Sequence, residues 1–337
     1  MRELSRLLCA INIKYHPFCT AFFVMTVLTA GSANQAWGTI YKATDLNPSG
    51  FHVSEAHGIS GTQQVGYGNG HALLWSGSAV NYVDLNPSEF DWSEAWGTNG
   101  TQQVGWGEGI ATGNQPHALL WSGTAGSYVD LHPSGFDWSG AWGINGTQQV
   151  GYGWLPTGGP EHALLWSGSA ASYIDLNPSE FDYSEAWGTN GTQQVGWGYG
   201  SAIGDNSHAL LWSGSAANYV DLNPSGFDGS FAQGINGTQQ VGLGWGLPTG
   251  DNIHALLWSS SADNFVDLNP SGFDYSEALG TNGTQQVGWG FSSATGGNDH
   301  YHALLWNGSA DSYIDLSQFL PTGFGISRAN AIDGYGN

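Results

Sequence analysis

The chain has 337 residues, of which only 9% are charged and 53 are glycine, with a formal net charge of −22. Its basic residues are Arg2, Arg6, Lys14, Lys42 and Arg328, so nothing basic lies between Lys42 and Arg328; this excludes a nucleic-acid surface, which needs a basic stripe. Aromatic residues make up 13%, which argues against disorder.

Residues 1–36 read as a signal peptide. Arg2, Arg6 and Lys14 precede an apolar run over residues 18–30, and small residues follow at Gly31, Ser32, Ala33 and Ala36. The run is too short for a comfortable transmembrane span, and cleavage after Ala33 or Ala36 is expected. Both cysteines, Cys9 and Cys19, lie in this segment, so the exported chain would carry no disulfide. No second hydrophobic span follows.

Residues 37–337 are one unit repeated. His-Ala-Leu-Leu-Trp begins at His71, His117, His162, His208, His254 and His302, with spacings of 46, 45, 46, 46 and 48. A period of this size marks a propeller, solenoid or array. Each unit offers four strand-like pieces: Ala95-Trp-Gly-Thr98, Thr101-Gln-Gln-Val-Gly-Trp106, His-Ala-Leu-Leu-Trp, and Tyr-Val-Asp-Leu. Asn-Gly between the first two, at Asn99, Asn145, Asn190, Asn236 and Asn282, predicts a hairpin of type I′, with φ > 0 at both central residues. Pro after the fourth piece ends it. Four short antiparallel strands per unit predict an all-β propeller, because a blade buries both faces only against its neighbours. Six units are complete. A seventh is split between the termini: residues 43–48 match a fourth strand, and Ser327-Arg-Ala-Asn-Ala-Ile-Asp-Gly334 matches a first strand with its turn, so the ring has either seven positions with one incomplete or six blades with two tails. Alternate units share Glu-Ala and Thr-Asn-Gly, near Glu94, Glu185 and Glu277, which indicates amplification as blade pairs.

The units resemble the HAF-type extracellular repeat of exported bacterial proteins. The resemblance rests on Ala-x-Gly-Ile-Asn-Gly, Gln-Val-Gly, His-Ala-Leu-Leu-Trp and Asp-Leu, and covers residues 43–334. It departs where the family has Phe after His-Ala; here Leu73 and Leu119 stand in that place. It implies export to the bacterial cell exterior and a repeated β fold, and it carries over no catalytic residue.

Loops between the second and third strands vary most, and variable loops on a rigid scaffold are where binding is placed. They begin near Trp154, Tyr199, Trp245 and Phe291. The blade-joining segments on the same face carry Asp91-Trp92, Asp137-Trp138, Asp182-Tyr183 and Asp274-Tyr275. Aromatic rings beside carboxylates suit neutral sugars, which makes these twelve residues candidates for weak glycan sites acting through avidity. The competing reading packs the aromatics between blades and leaves a scaffold that contacts extracellular proteins.

The repeated Asp84, Asp130, Asp175, Asp221, Asp267 and Asp315 read as turn residues that bond backbone N–H groups. One His per blade lies too far from its copies for a tetrahedral metal site. No cofactor is expected. Asp205-Asn206, Asp251-Asn252 and Asn298-Asp299 are a weak calcium signal without loop spacing. No Gly-x-Ser-x-Gly occurs, and a thiol nucleophile is absent from the exported chain. The chain reads as a binding protein rather than an enzyme, although paired carboxylates keep a glycosidase open.

Overall fold

The computed structural model describes residues 41–293, 301–321, 324–334 and 336, together with the backbone of residues 23–28 and 40. It is an all-β propeller of six four-stranded antiparallel blades, over residues 54–84, 90–130, 138–175, 183–221, 227–267 and 275–315. Within each blade the strands pair in sequence order. Blade 3, for example, runs Trp138–Asn145, Gln148–Trp154, Glu161–Trp166 and Ile174–Asp175. Helix among the described residues is limited to short 3-10 turns, and none is long and apolar enough to cross a membrane.

The first strand of every blade lies innermost. Its glycine (Gly58, Gly97, Gly143, Gly188 or Gly234) sits so close to the next blade's first strand that an added Cβ would meet that strand's backbone carbonyl at 2.6–3.2 Å. One residue earlier the register slips, at Ala95/Gly97 and its five counterparts. A bulge bends the strand and re-aims one side chain. The bulged residues are His57, Trp96, Trp142, Trp187, Gln233 and Leu279. The glycine of Gln-Val-Gly is demanded by the same geometry: a Cβ on Gly66, Gly105, Gly151, Gly196, Gly242 or Gly288 would fall 1.8–1.9 Å from a first-strand carbonyl oxygen.

The core lies between blades. Val65, Ala72 and Leu74 of blade 1 pack on Ala95, Leu119 and Trp121 of blade 2, and the pattern repeats around the ring. Each Trp of His-Ala-Leu-Leu-Trp is fully buried there. Polar groups stitch the same junctions. Ala163 N donates to Ser184 Oγ of the next blade at 3.0 Å, and Ser184 Oγ donates to Asn177 Oδ1 at 2.6 Å. At the junction of blades 2 and 3 His132 replaces that Asn: its ring bonds Ser139 Oγ at 2.9 Å and the Phe136 carbonyl at 3.1 Å. Burial and the neighbouring His117 hold its pKa below the ordinary histidine value. The second Gln of Gln-Gln-Val is buried because its side-chain oxygen accepts from the turn between strands three and four, as Gln149 Oε1 does from Gly168 N at 2.7 Å.

The two ends complete the ring at a seventh, partial position. Ala303 N donates to Ser327 Oγ at 2.9 Å, the bond that Ser184 accepts elsewhere. On the other side Asn330 Nδ2 donates to the Ala56 carbonyl of blade 1 at 2.8 Å. Leu46 is buried against Leu73 and Trp75, and Tyr41 packs with Ile332 and Leu305. Backbone residues 23–28 pair antiparallel with 40–45. The rest of the expected signal segment, with both cysteines, lies outside the described residues.

The hairpins differ from expectation. No Asn of Asn-Gly has positive φ; among the turn residues only the glycines do, at 56° for Gly146 and 89° for Gly100. At Asn145 the strand continues to pair with Gln148, which leaves Gly146-Thr147 as the loop, with positive φ at its first residue alone. This is the φ pattern of a II′ turn. In the Thr-Asn-Gly blades the Asn side chain organises a longer turn: Asn99 Oδ1 accepts from Thr101 N and Gln102 N at 3.0 and 2.8 Å. Side-chain capture of the backbone has displaced the type I′ geometry.

Candidate functional site: the rim face and the axial ring

The loops after the second strand and the segments that join blades meet on one face. Trp92, Trp138 and Tyr275 are exposed there, at 54%, 41% and 40%, whereas Tyr183 is half-buried. These residues belong to the first strands rather than to the joining loops, because each pairs across to the start of the neighbouring loop. The register aligns Trp138 with Trp154, Tyr183 with Tyr199, and Tyr275 with Phe291. Their ring centroids lie 5.7, 6.0 and 5.8 Å apart. Blades 2 and 5 each use one ring: Trp92 pairs with Glu108 and covers Gly70, and Trp245 covers Gly229. The eight aromatic candidates thus gather as separate platforms, one in each of blades 2 to 6.

The aspartates beside them hold loops. Asp137 Oδ2 accepts from Thr157 N at 3.2 Å, Asp182 Oδ2 from Ser201 N at 3.1 Å, and Asp274 Oδ2 from Ser293 N at 2.7 Å. Hydrogen bonds from the Ser293 side chain and then its N–H keep the Asp274 carboxyl below its ordinary pKa. Asp91 is exposed.

The two rings of repeated polar residues turn out to be one. Each His Nδ1 bonds the fourth-strand Asp of its own blade, from His71–Asp84 at 2.8 Å to His302–Asp315 at 2.6 Å. The second Asp oxygen accepts from the backbone N–H two residues on, at 2.8–2.9 Å, for example Asn177 N to Asp175. At Asp130 burial is outweighed by the bonds from His117 and from the His132 N–H, and the pKa falls below the carboxylate norm. Among the described residues no three His, Cys, Asp or Glu side chains converge on a point. Asp205 and Asp251 sit at positive φ in loop turns, and Asn298-Asp299 lies outside the described residues.

Sequence reasoning missed the axis. The residue after the first-strand Ser forms a column: Glu55, Glu94, Gly140, Glu185, Phe231, Glu277 and Arg328. The bulged residues lie beside it. His57 stacks on Trp96 at 3.9 Å and its Nε2 bonds Glu94 Oε1 at 2.8 Å. Trp96 meets Trp142 edge-on at 4.6 Å. Trp187 Nε1 donates to Glu185 Oε2 at 2.8 Å, and Gln233 Nε2 donates to Glu277 Oε1. Burial pushes Glu185 and Glu277 up to about 7. Arg328 places its guanidinium 5.1 Å from the Trp289 ring and 5.0 Å from the Tyr301 ring. The match of 327–334 to a first strand puts Arg328 in line with these residues, but alternation alone cannot say which face of a strand meets the axis. At the hairpin end, the axis opens into a polar depression of about 530 Å³ that includes Asn99, Asn145, Asn236 and Asp333.

The molecule is therefore a β-propeller scaffold. Comparison with solved structures finds the same fold at low identity. A puromycin hydrolase S511A mutant in complex with PGG matches with TM-score 0.59 and 10% identity, over 90% of this chain and 54% of that one. A puromycin-hydrolysing peptidase from Mycobacterium tuberculosis matches at 0.56 and 12%, over 88% and 53%. TolB from Acinetobacter baumannii matches at 0.50 and 12%, over 82% and 65%. The chain spans about half the length of that hydrolase and of that peptidase. No protein-family model and no curated protein matches the sequence.

Proposed function

We propose that this chain is an exported bacterial binding protein of the HAF-repeat type, without catalysis of its own, and that its rim face holds a polysaccharide. One observation carries the reading: aromatic platforms recur blade after blade on one face, with Trp92, Trp138 and Tyr275 open to solvent. Flat rings with a polar handle suit sugar faces, and a row of weak sites gains through avidity on a repeating polymer. The absence of Lys and Arg between residues 42 and 328 directs the choice to a neutral or cationic ligand.

The test is a glycan array probed with the chain from Trp37, with and without calcium. Binding that disappears in the Trp92→Ala, Trp138→Ala double variant supports the reading. A blank array from a protein with a folded β-type circular-dichroism spectrum rejects it in favour of a scaffold for extracellular proteins.

A further inference from the structure

Asn-Gly occurs seven times in the chain. The pair is chemically reactive by itself, because glycine has no side chain to shield its backbone nitrogen. That nitrogen attacks the preceding Asn side-chain carbon. The new N–C bond closes a five-membered imide, the amide C–N bond breaks, and ammonia leaves with the proton. Water then opens the ring at either carbonyl, which gives aspartate or its β-linked isomer. Water is the sole co-reactant. A hydrogen bond that ties the glycine N–H or the Asn amide opposes the attack, since it must break first.

Five of the seven pairs are tied. In the Thr-Asn-Gly blades both reacting groups are held. Asn99 Oδ1 accepts from Thr101 N, Thr101 Oγ1 and Gln102 N, its Nδ2 donates to the Gly146 carbonyl at 3.0 Å, and Gly100 N–H donates to Thr98 Oγ1 at 3.1 Å. Asn190 repeats all of these bonds. Asn282 Oδ1 is held in the same way, and Gly283 N–H donates to Thr281 Oγ1 at 3.1 Å. After Asn307 the nucleophile is engaged, because Gly308 N–H donates to Gln286 Oε1 at 2.9 Å. Asn69 Oδ1 accepts from His52 N at 3.1 Å, and Gly70 is buried beneath Trp92.

Asn145 and Asn236 differ. Each is exposed, and so is the glycine that follows. Among the described residues neither Asn side chain makes a hydrogen bond, and neither does the Gly146 or the Gly237 N–H. One substitution in the repeat accounts for the free N–H: Ile144 and Ile235 stand where the other blades have Thr98, Thr189 and Thr281, and isoleucine has no hydroxyl to accept it. Both asparagines line the polar depression at the hairpin end of the axis, beside Asp333. At the partial seventh position Asp333-Gly334 already carries an acid where these blades carry an amide.

We propose that Asn145 and Asn236 are sites of spontaneous deamidation, left open by Ile144 and Ile235, so that the mouth of the axis gains two carboxylates beside Asp333 as the protein ages. This goes beyond the polysaccharide reading and stands without it.

The test holds the full chain at pH 8 for several weeks and follows all seven pairs by peptide mapping with mass spectrometry. Asn145 and Asn236 are expected to convert at least about tenfold faster than any of the other five. Part of the product is the β-linked isomer, and anion exchange of the intact protein resolves species with one and then two added negative charges. Ile144→Thr slows conversion at Asn145 and leaves Asn236 unchanged, whereas Thr98→Ile speeds conversion at Asn99 alone. Unchanged rates at the remaining sites, with an unchanged circular-dichroism spectrum, separate a lost local tie from a loosened fold. Similar rates at all seven pairs overturn the proposal, as does a rate at Asn145 that Ile144→Thr does not alter. Intact Asn145 and Asn236 after a time in which the urea-unfolded chain has converted also overturn it.

Discussion

The junctions between blades and the axial ring are built from adjacent residues of the same strands, yet they obey opposite rules. At the junctions each position repeats: Ser93, Ser139, Ser184, Ser230, Ser276 and Ser327 all accept the same alanine N–H. One residue further along the strand the column diverges into Glu, Gly, Phe and Arg. A junction must satisfy the same buried backbone donor six times over, so one solution serves throughout. The axis has no such recurring demand. Side chains there face one another across a narrow space, and a charge in one sector alters what the others can hold.

That contrast is tested first at the most constrained repeated position. Gly151→Ala places a Cβ 1.9 Å from the Gly140 carbonyl oxygen, and relief requires backbone movement. A loss of more than about 4 kcal/mol, or failure to fold, is expected by urea titration. A mild effect would show that the first hairpin is pliable and that Gln-Val-Gly repeats for another reason.

Ser184→Ala removes one stitch. It leaves Ala163 N and Asn177 Oδ1 unpaired in a buried junction, at a cost of about 1–3 kcal/mol. Ser93→Ala should cost a similar amount, since the same bonds recur there. Unequal losses would break the equivalence of the junctions.

On the axis the effect is one of pH. Glu185 and Glu277 have folded-state pKa values raised to about 7 from 4.5, so the folded chain keeps protons that the unfolded chain releases. Their contribution to stability is full below pH 4.5 and is lost as pH rises through about 7. Glu185→Gln should reduce the fall in melting temperature between pH 5 and pH 8. Ser184→Ala, one residue away, should lower both temperatures alike.

The smallest effect on stability falls on the rim. Trp92 is an exposed platform, so Trp92→Ala should shift stability by no more than about 0.5 kcal/mol while weakening glycan binding. A large loss of stability would mark its cover of Gly70 as a structural contact.

Much of this architecture was legible in the chain itself. The period of His-Ala-Leu-Leu-Trp, the strand-sized pieces and the two terminal fragments determined the repeat, the strand order within a blade and the site of ring closure, whereas the choice between six and seven blades fell to the structure. They could do so because a blade is local: its four strands are consecutive and joined by short turns, so pattern and pairing coincide. The turn chemistry was read less well, since Asn99 and its counterparts use their side chains where type I′ was expected. Tertiary structure alone decided what meets between blades. It stacked His57 of blade 1 on Trp96 of blade 2, and turned a scattered column of Glu residues into an axial ring with Arg328 in one sector and an unpartnered Glu161 Oε2 in another. Those contacts span blades or follow a bulge, and a bulge changes which face a side chain occupies without leaving a mark in the hydrophobic pattern.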